Sequence, residues 1–168
     1  MNDMKAVYLC GFMGCGKSTV GKILASKCGC EFIDMDDYIV EREGMTIPQI
    51  FADKGEQYFR DTETAVIGEL TEKKCVIACG GGAMLKKENA DIAAENGIVV
   101  YIDITFEACY ARISGDTNRP LVMNNSKEQL EDIYNGRVPI YKKNSNIIID
   151  GNGTADEIAD RIYNAITY

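Results

Sequence analysis

The chain has 168 residues, 46% hydrophobic and 26% charged, the size and balance of one globular domain with its own core. A formal net charge of -8 offers no basic field to a phosphate backbone, and no apolar run approaches the roughly 20 residues of a membrane helix, so neither nucleic acid nor membrane is an expected partner. Histidine is absent, which excludes serine–histidine and cysteine–histidine nucleophiles, while the seven cysteines match neither metal-knuckle nor disulfide spacing and read as reduced thiols of a cytoplasmic protein without a cleavable leader.

The first apolar run, KAVYLC at 5–10, is a predicted strand. Behind it GFMGCGKS at 11–18 satisfies GxxxxGK[ST], and Val20, Ile23, Leu24 and Cys28 then recur at helical spacing. Strand, glycine loop and helix are the setting in which backbone N–H groups curl inward around phosphate oxygens at a helix N-terminus. Gly11, Gly14, Cys15, Gly16, Lys17, Ser18 and Thr19 are therefore the expected cradle of a nucleoside triphosphate. Lys17 is expected to reach the β and γ phosphates, and Ser18 to offer its hydroxyl to Mg²⁺. Thiol reagents are expected to inhibit through Cys15, with ATP protecting.

EFIDMD at 31–36 is the second predicted strand. Asp34 and Asp36 lie two apart and share a face in extended chain, at the strand end where open α/β sheets bind ligands. One carboxylate can hold hydrated Mg²⁺ while the other receives a hydroxyl proton. Residues 37–63 interrupt the alternation and read as a helical insertion, with Thr46 and Gln49 spaced as a capping box. CVIAC at 75–79 is the third strand, and the glycines at 80–82 cost backbone entropy in a way that suits close approach to a ligand. IVVYID at 98–103 is the fourth strand, ending on Asp103, which has the look of a Walker B acid. GDTNRPLVMNNS at 115–126 is a long polar loop of the kind that serves as a lid. Ser126 with Gln129, and Thr154 with Glu157, mark two further helix starts around a fifth strand, NIIID at 146–150. Ile158, Ile162 and Ile166 put one apolar stripe on the last helix. Strands alternating with helices predict a doubly wound α/β fold, a three-layer α/β/α sandwich on a five-stranded parallel sheet.

Only six arginines are present, Arg42, Arg60, Arg112, Arg119, Arg137 and Arg161, so anion binding must concentrate where several converge. Taken together, GFMGCGKST, IDMDD, GEQYFRDTE at 55–63 and ACGGG resemble the shikimate kinases in order and spacing. The likeness continues through NRPL at 118–121 and RVPIY at 137–141 and covers nearly the whole chain. It implies a single P-loop kinase domain over 1–168, like the nucleoside monophosphate kinases, with a substrate-binding region about 35–63 and a lid about 113–126. It implies transfer of the γ-phosphate of ATP to the 3-hydroxyl of shikimate, in the route to aromatic amino acids. Asp34 then matches the Mg²⁺ acid, and Asp36 the acid that meets the substrate hydroxyls and serves as base. Arg60 and Arg137 match the grip on the substrate carboxylate, and Gly81 and Gly82 the substrate-contacting turn. Arg119 matches the lid arginine on the phosphates, and Arg112 the one that packs against adenine. By the same match Asp103 is a strand-end residue rather than the metal acid. Cys79 stands where relatives often carry Thr or Ser, and KKNSN follows Tyr141 in place of a more acidic stretch.

The expected partners are the small molecules shikimate and ATP, and the expected state is a monomer. A gluconate-type or nucleoside monophosphate kinase shares the cradle and is the alternative among kinases. A nucleotide-dependent switch is the alternative outside them, although YKKNSN does not supply a guanine-binding NKxD sequence.

Overall fold

A computed structural model describes residues 4–115 and 119–167. Its centre is a parallel sheet of order β2-β3-β1-β4-β5, made by β1 (Ala6–Cys10), β2 (Glu31–Asp34), β3 (Cys75–Ala78), β4 (Gly97–Asp103) and β5 (Ile147–Asp150). The registers Leu9 opposite Ala78, Cys10 opposite Tyr101 and Asp34 opposite Ala78 bring the carboxyl ends of β1, β2 and β3 to one edge of the sheet. Every residue of β1 is buried, as a central parallel strand covered on both faces must be. Its period of two divides the core: Ala6, Tyr8 and Cys10 enter one apolar cluster, Val7 and Leu9 the other.

Helices α1 (Lys17–Cys28), α6 (Phe106–Ile113) and α9 (Ala155–Ile166) supply the cluster beneath Val7 and Leu9. Helices α2 (Met35–Glu43), α3 (Ile47–Lys54), α4 (Glu56–Leu70) and α5 (Lys87–Asn96) supply the other. Helix α8 (Lys127–Asn144) contributes Leu130 to the first cluster and Tyr141 to the second. A short α7 (Pro120–Asn124) precedes it, and a 3₁₀ turn (Ala83–Leu85) follows the glycines. Ile158 and Ile162 of α9 are buried and Ile166 packs against the same cluster, the stripe expected from their spacing.

The three capping boxes form with both reciprocal bonds, at Thr46, Ser126 and Thr154. Two boundaries differ from the sequence expectation. The second strand stops at Asp34, because that carboxylate accepts the Asp37 N–H at 3.1 Å and caps α2 from Met35 onward. Asp36 thus lies in the first turn of a helix and does not share a strand face with Asp34. The expected lid loop contains α7, while Asp116, Thr117 and Asn118 fall outside the described residues. No helix among the described residues is long and apolar enough to cross a membrane.

Candidate active site

The loop after β1 owes its shape to glycine. Gly11, Gly14 and Gly16 have φ of 151°, 83° and 99°, which L side chains rarely adopt. Gly14 is also fitted closely to α6, since a Cβ there would lie 2.7 Å from the Cys109 carbonyl oxygen. The Arg112 guanidinium closes the same junction by donating to the Gly14 carbonyl at 2.8 Å. Lys17, the first residue of α1, donates to the Gly11 carbonyl at 2.6 Å and so lies folded across its own loop. The Cys15 side chain is only 1% exposed and is tucked beneath Gly11, so the loop turns its backbone rather than this thiol to solvent. That burial works against the thiol-reagent expectation.

A cleft of about 310 Å³ opens over this loop, lined also by Asp34, Asp36, residues 78–81, Arg112 and Arg119. Ser18 Oγ donates to Asp34 Oδ2 at 3.4 Å, which puts a hydroxyl and a carboxylate side by side at the mouth of the cradle. Among the described residues no cluster of three or more His, Cys, Asp or Glu could hold a metal ion unaided. A hard cation bound by one carboxylate and one hydroxyl, with phosphates and water completing its shell, fits this donor set. Asp103 is elsewhere: it ends β4, pairs with Lys142 at 3.7 Å and accepts from the Tyr101 hydroxyl.

Asp36 stands between the cradle and the glycine turn. A Cβ on Gly80 would lie 2.9 Å from Asp36 Oδ1, so only a glycine leaves that carboxylate its place. Burial and the neighbouring Asp34 charge push the Asp36 carboxyl above the usual carboxylate range, with Lys17 and Arg119 pulling it back. A half-buried acid with two cations in reach is suited to take up a proton.

The same turn also adjoins two arginines, tightly at Gly82 and at ordinary contact distance at Gly81. A Cβ on Gly82 would meet Arg60 Nη1 at 2.7 Å, and one on Gly81 would lie 3.5 Å from Arg137 Nη1. Arg60, from α4, and Arg137, from α8, therefore approach one short backbone segment from different helices. Sequence reasoning did not find Glu63, which is buried and holds Arg60 Nη1 at 2.8 Å. Burial raises its carboxyl and Arg60 lowers it, with the net direction upward. Its signal was the i, i+3 spacing from Arg60 on one helix, a pair that meets on the helix surface. Arg42 pairs with Glu43 and Glu69 away from the cleft, whereas Arg161 is more than a solvated charge, since it donates to the Asp150 and Asn152 carbonyls behind β5.

Arg119 is exposed, immediately precedes α7 and lines the same cleft as Asp34 and Asp36. The structure therefore gathers Gly14 to Thr19, Asp34, Asp36, Gly81, Arg112 and Arg119 around one cleft, with Arg60, Gly82 and Arg137 adjoining at the glycine turn.

Comparison with known proteins agrees in extent. A sequence model of the family described as shikimate kinase matches residues 13–167. A shikimate kinase of Persephonella marina is 45% identical over 139 residues, 82% of this chain and 84% of its own. A shikimate kinase of Methylococcus capsulatus is 39% identical over 168 residues, 98% of this chain and 94% of its own. Among solved structures, the shikimate kinase of Acinetobacter baumannii in complex with shikimate superposes with a TM-score of 0.90 at 40% identity, covering 98% of this chain and 94% of that one.

Proposed function

The chain belongs to the shikimate kinase family, and from that premise we propose that it transfers the γ-phosphate of ATP to the 3-hydroxyl of shikimate, giving shikimate 3-phosphate and ADP. The observation that carries this reading is the place of Asp36, a proton acceptor lying between a triphosphate cradle and two arginines that converge on one glycine turn. Phosphoryl transfer asks mainly for alignment and charge neutralisation. Lys17 would leave the Gly11 carbonyl for the β and γ phosphates, and Arg119 would meet the transferring group from the α7 side. Ser18 and Asp34 would hold Mg²⁺, which when bound neutralises phosphate charge. Asp36 would orient the attacking hydroxyl and accept its proton, a contribution on the order of 10²- to 10⁴-fold. Arg60, held by Glu63, and Arg137 would grip the substrate carboxylate, for which the planar guanidinium fork is better matched than an ammonium. Arg112, already against the cradle at Gly14, would flank the base of the nucleotide.

The seven free cysteines support a reducing, cytoplasmic setting. These assignments serve the biosynthesis of aromatic amino acids. The test is coupled ADP release with ATP and Mg²⁺, offering shikimate, gluconate, AMP and no acceptor in parallel. Turnover that depends on shikimate is expected; turnover only with gluconate or AMP would replace the assignment.

A further inference from the structure

The carbonyls of the triple glycine are all taken, and one of them is taken from far away. Gly80 O accepts from the Ala83 N–H at 3.2 Å and Gly82 O from the Leu85 N–H at 3.3 Å, both within the turn itself. Gly81 O accepts instead from the Tyr141 hydroxyl at 2.5 Å, across 60 residues of chain. We propose that Tyr141, assisted by Asn144, is a positioning residue that fixes the Gly81 peptide beside the Arg137 guanidinium for carboxylate recognition. The proposal rests on reading that turn as the substrate-contacting one.

Three observations support it. Tyr141 is 1% exposed and its ring stacks on Tyr101 with centroids 5.4 Å apart and planes inclined by 19°. A phenylalanine would fill that slot equally well, so the buried hydroxyl answers to its hydrogen bond and not to packing. Arg137 lies one helical turn before it on α8, the spacing at which side chains share a helix face, and its Nη1 would lie 3.5 Å from a Cβ on the same Gly81. Asn144, at the end of α8, adds a second tie by donating to the Met84 carbonyl at 2.9 Å.

The geometry has a direct consequence. A trans peptide is planar with its C=O and N–H opposed, so aiming the Gly81 carbonyl at Tyr141 aims the Gly82 N–H away from it. Without that anchor a segment of three glycines would present its peptide groups in many orientations. Burial also holds the Tyr141 phenol protonated far above neutral pH, so it remains a donor at any working pH.

Tyr141→Phe keeps the stacked ring and removes only the hydroxyl. The expected result is a rise of about tenfold in the KM for shikimate, the scale of one well-made hydrogen bond, with kcat and the KM for ATP changed less than twofold. The same KM rise is expected throughout roughly pH 6 to 9, because burial keeps this phenol protonated beyond the ordinary tyrosine range. Asn144→Ala is expected to shift the shikimate KM in the same direction by a smaller factor. A Tyr141→Phe enzyme with an unchanged shikimate KM, or with shikimate and ATP KM raised alike, would overturn the proposal while leaving the kinase assignment intact. A wild-type enzyme that does not turn over shikimate would overturn the assignment, and the proposal with it.

Discussion

Asp36 is kept in a position that folding alone would not choose. Its burial beside Asp34 raises its carboxyl above the ordinary range, so the folded chain binds a proton more readily than the unfolded one. Ionisation therefore opposes folding: the cost begins near the ordinary carboxylate pKa, grows as pH rises to the folded-state value, and is fully present above it. Asp36→Asn is expected to melt a few degrees higher than wild type at pH 7, and at the same temperature once pH falls below the ordinary carboxylate range. The same variant is expected to lose on the order of 10²- to 10⁴-fold in kcat. Thermal melts and shikimate kinetics on one preparation check both; a variant that melts lower at pH 7, or keeps its kcat, would contradict the role given to this acid. Glu63 shows a comparable arrangement, buried but relieved by Arg60, and so belongs to the support of the site.

At the scale of elements, the cradle depends on the helix beneath it. Helix α6 presents the Cys109 carbonyl and Ile113 to Gly14, and sends Arg112 up to the Gly14 carbonyl. A side chain at position 14 would meet backbone at 2.7 Å and would also have to adopt φ of 83°. Gly14→Ala is expected to destabilise the fold by about 2 to 4 kcal/mol, from left-handed strain and overpacking together. It is also expected to weaken ATP by tenfold or more, read by calorimetry; unaltered melting and binding would show that the loop yields easily. This closeness between α6 and the loop could not be read from the motif, because residues 14 and 109 are far apart in sequence. The capping boxes, by contrast, were legible, since Ser or Thr and Gln or Glu three residues on act within one turn. The end of β2 was misjudged for the same local reason in reverse: alternation in EFIDMD suggested a strand, and the Asp34 side chain ended it.

For the whole molecule, the sheet order follows from strands alternating with helices, and the apolar runs announced all five strands within a residue or two. The cleft was legible where residues are consecutive, as in 11–19 and 80–82, or where the family likeness extended, as at Arg60 and Arg137. Tyr141 was not, because its meaning lies in Gly81 and Tyr101, partners met only after folding; Glu63 had its i, i+3 spacing from Arg60 as a local mark, but its burial beside Asp36 and Gly80 comes only with the fold. The molecule as a whole is acidic with a net charge of -8, yet Arg112 and Arg119 line the cleft and Arg60 and Arg137 adjoin it at the glycine turn, so four of its six arginines are placed where anionic ligands would meet them. Should the cradle, Asp36 and the paired arginines act together as described, the phosphate must arrive at one ring hydroxyl only. Phosphorus NMR of the product formed from shikimate and ATP measures this directly. A single phosphomonoester resonance coupled to the ring proton at carbon 3 is expected; phosphate on another hydroxyl, or inorganic phosphate alone, would contradict the account.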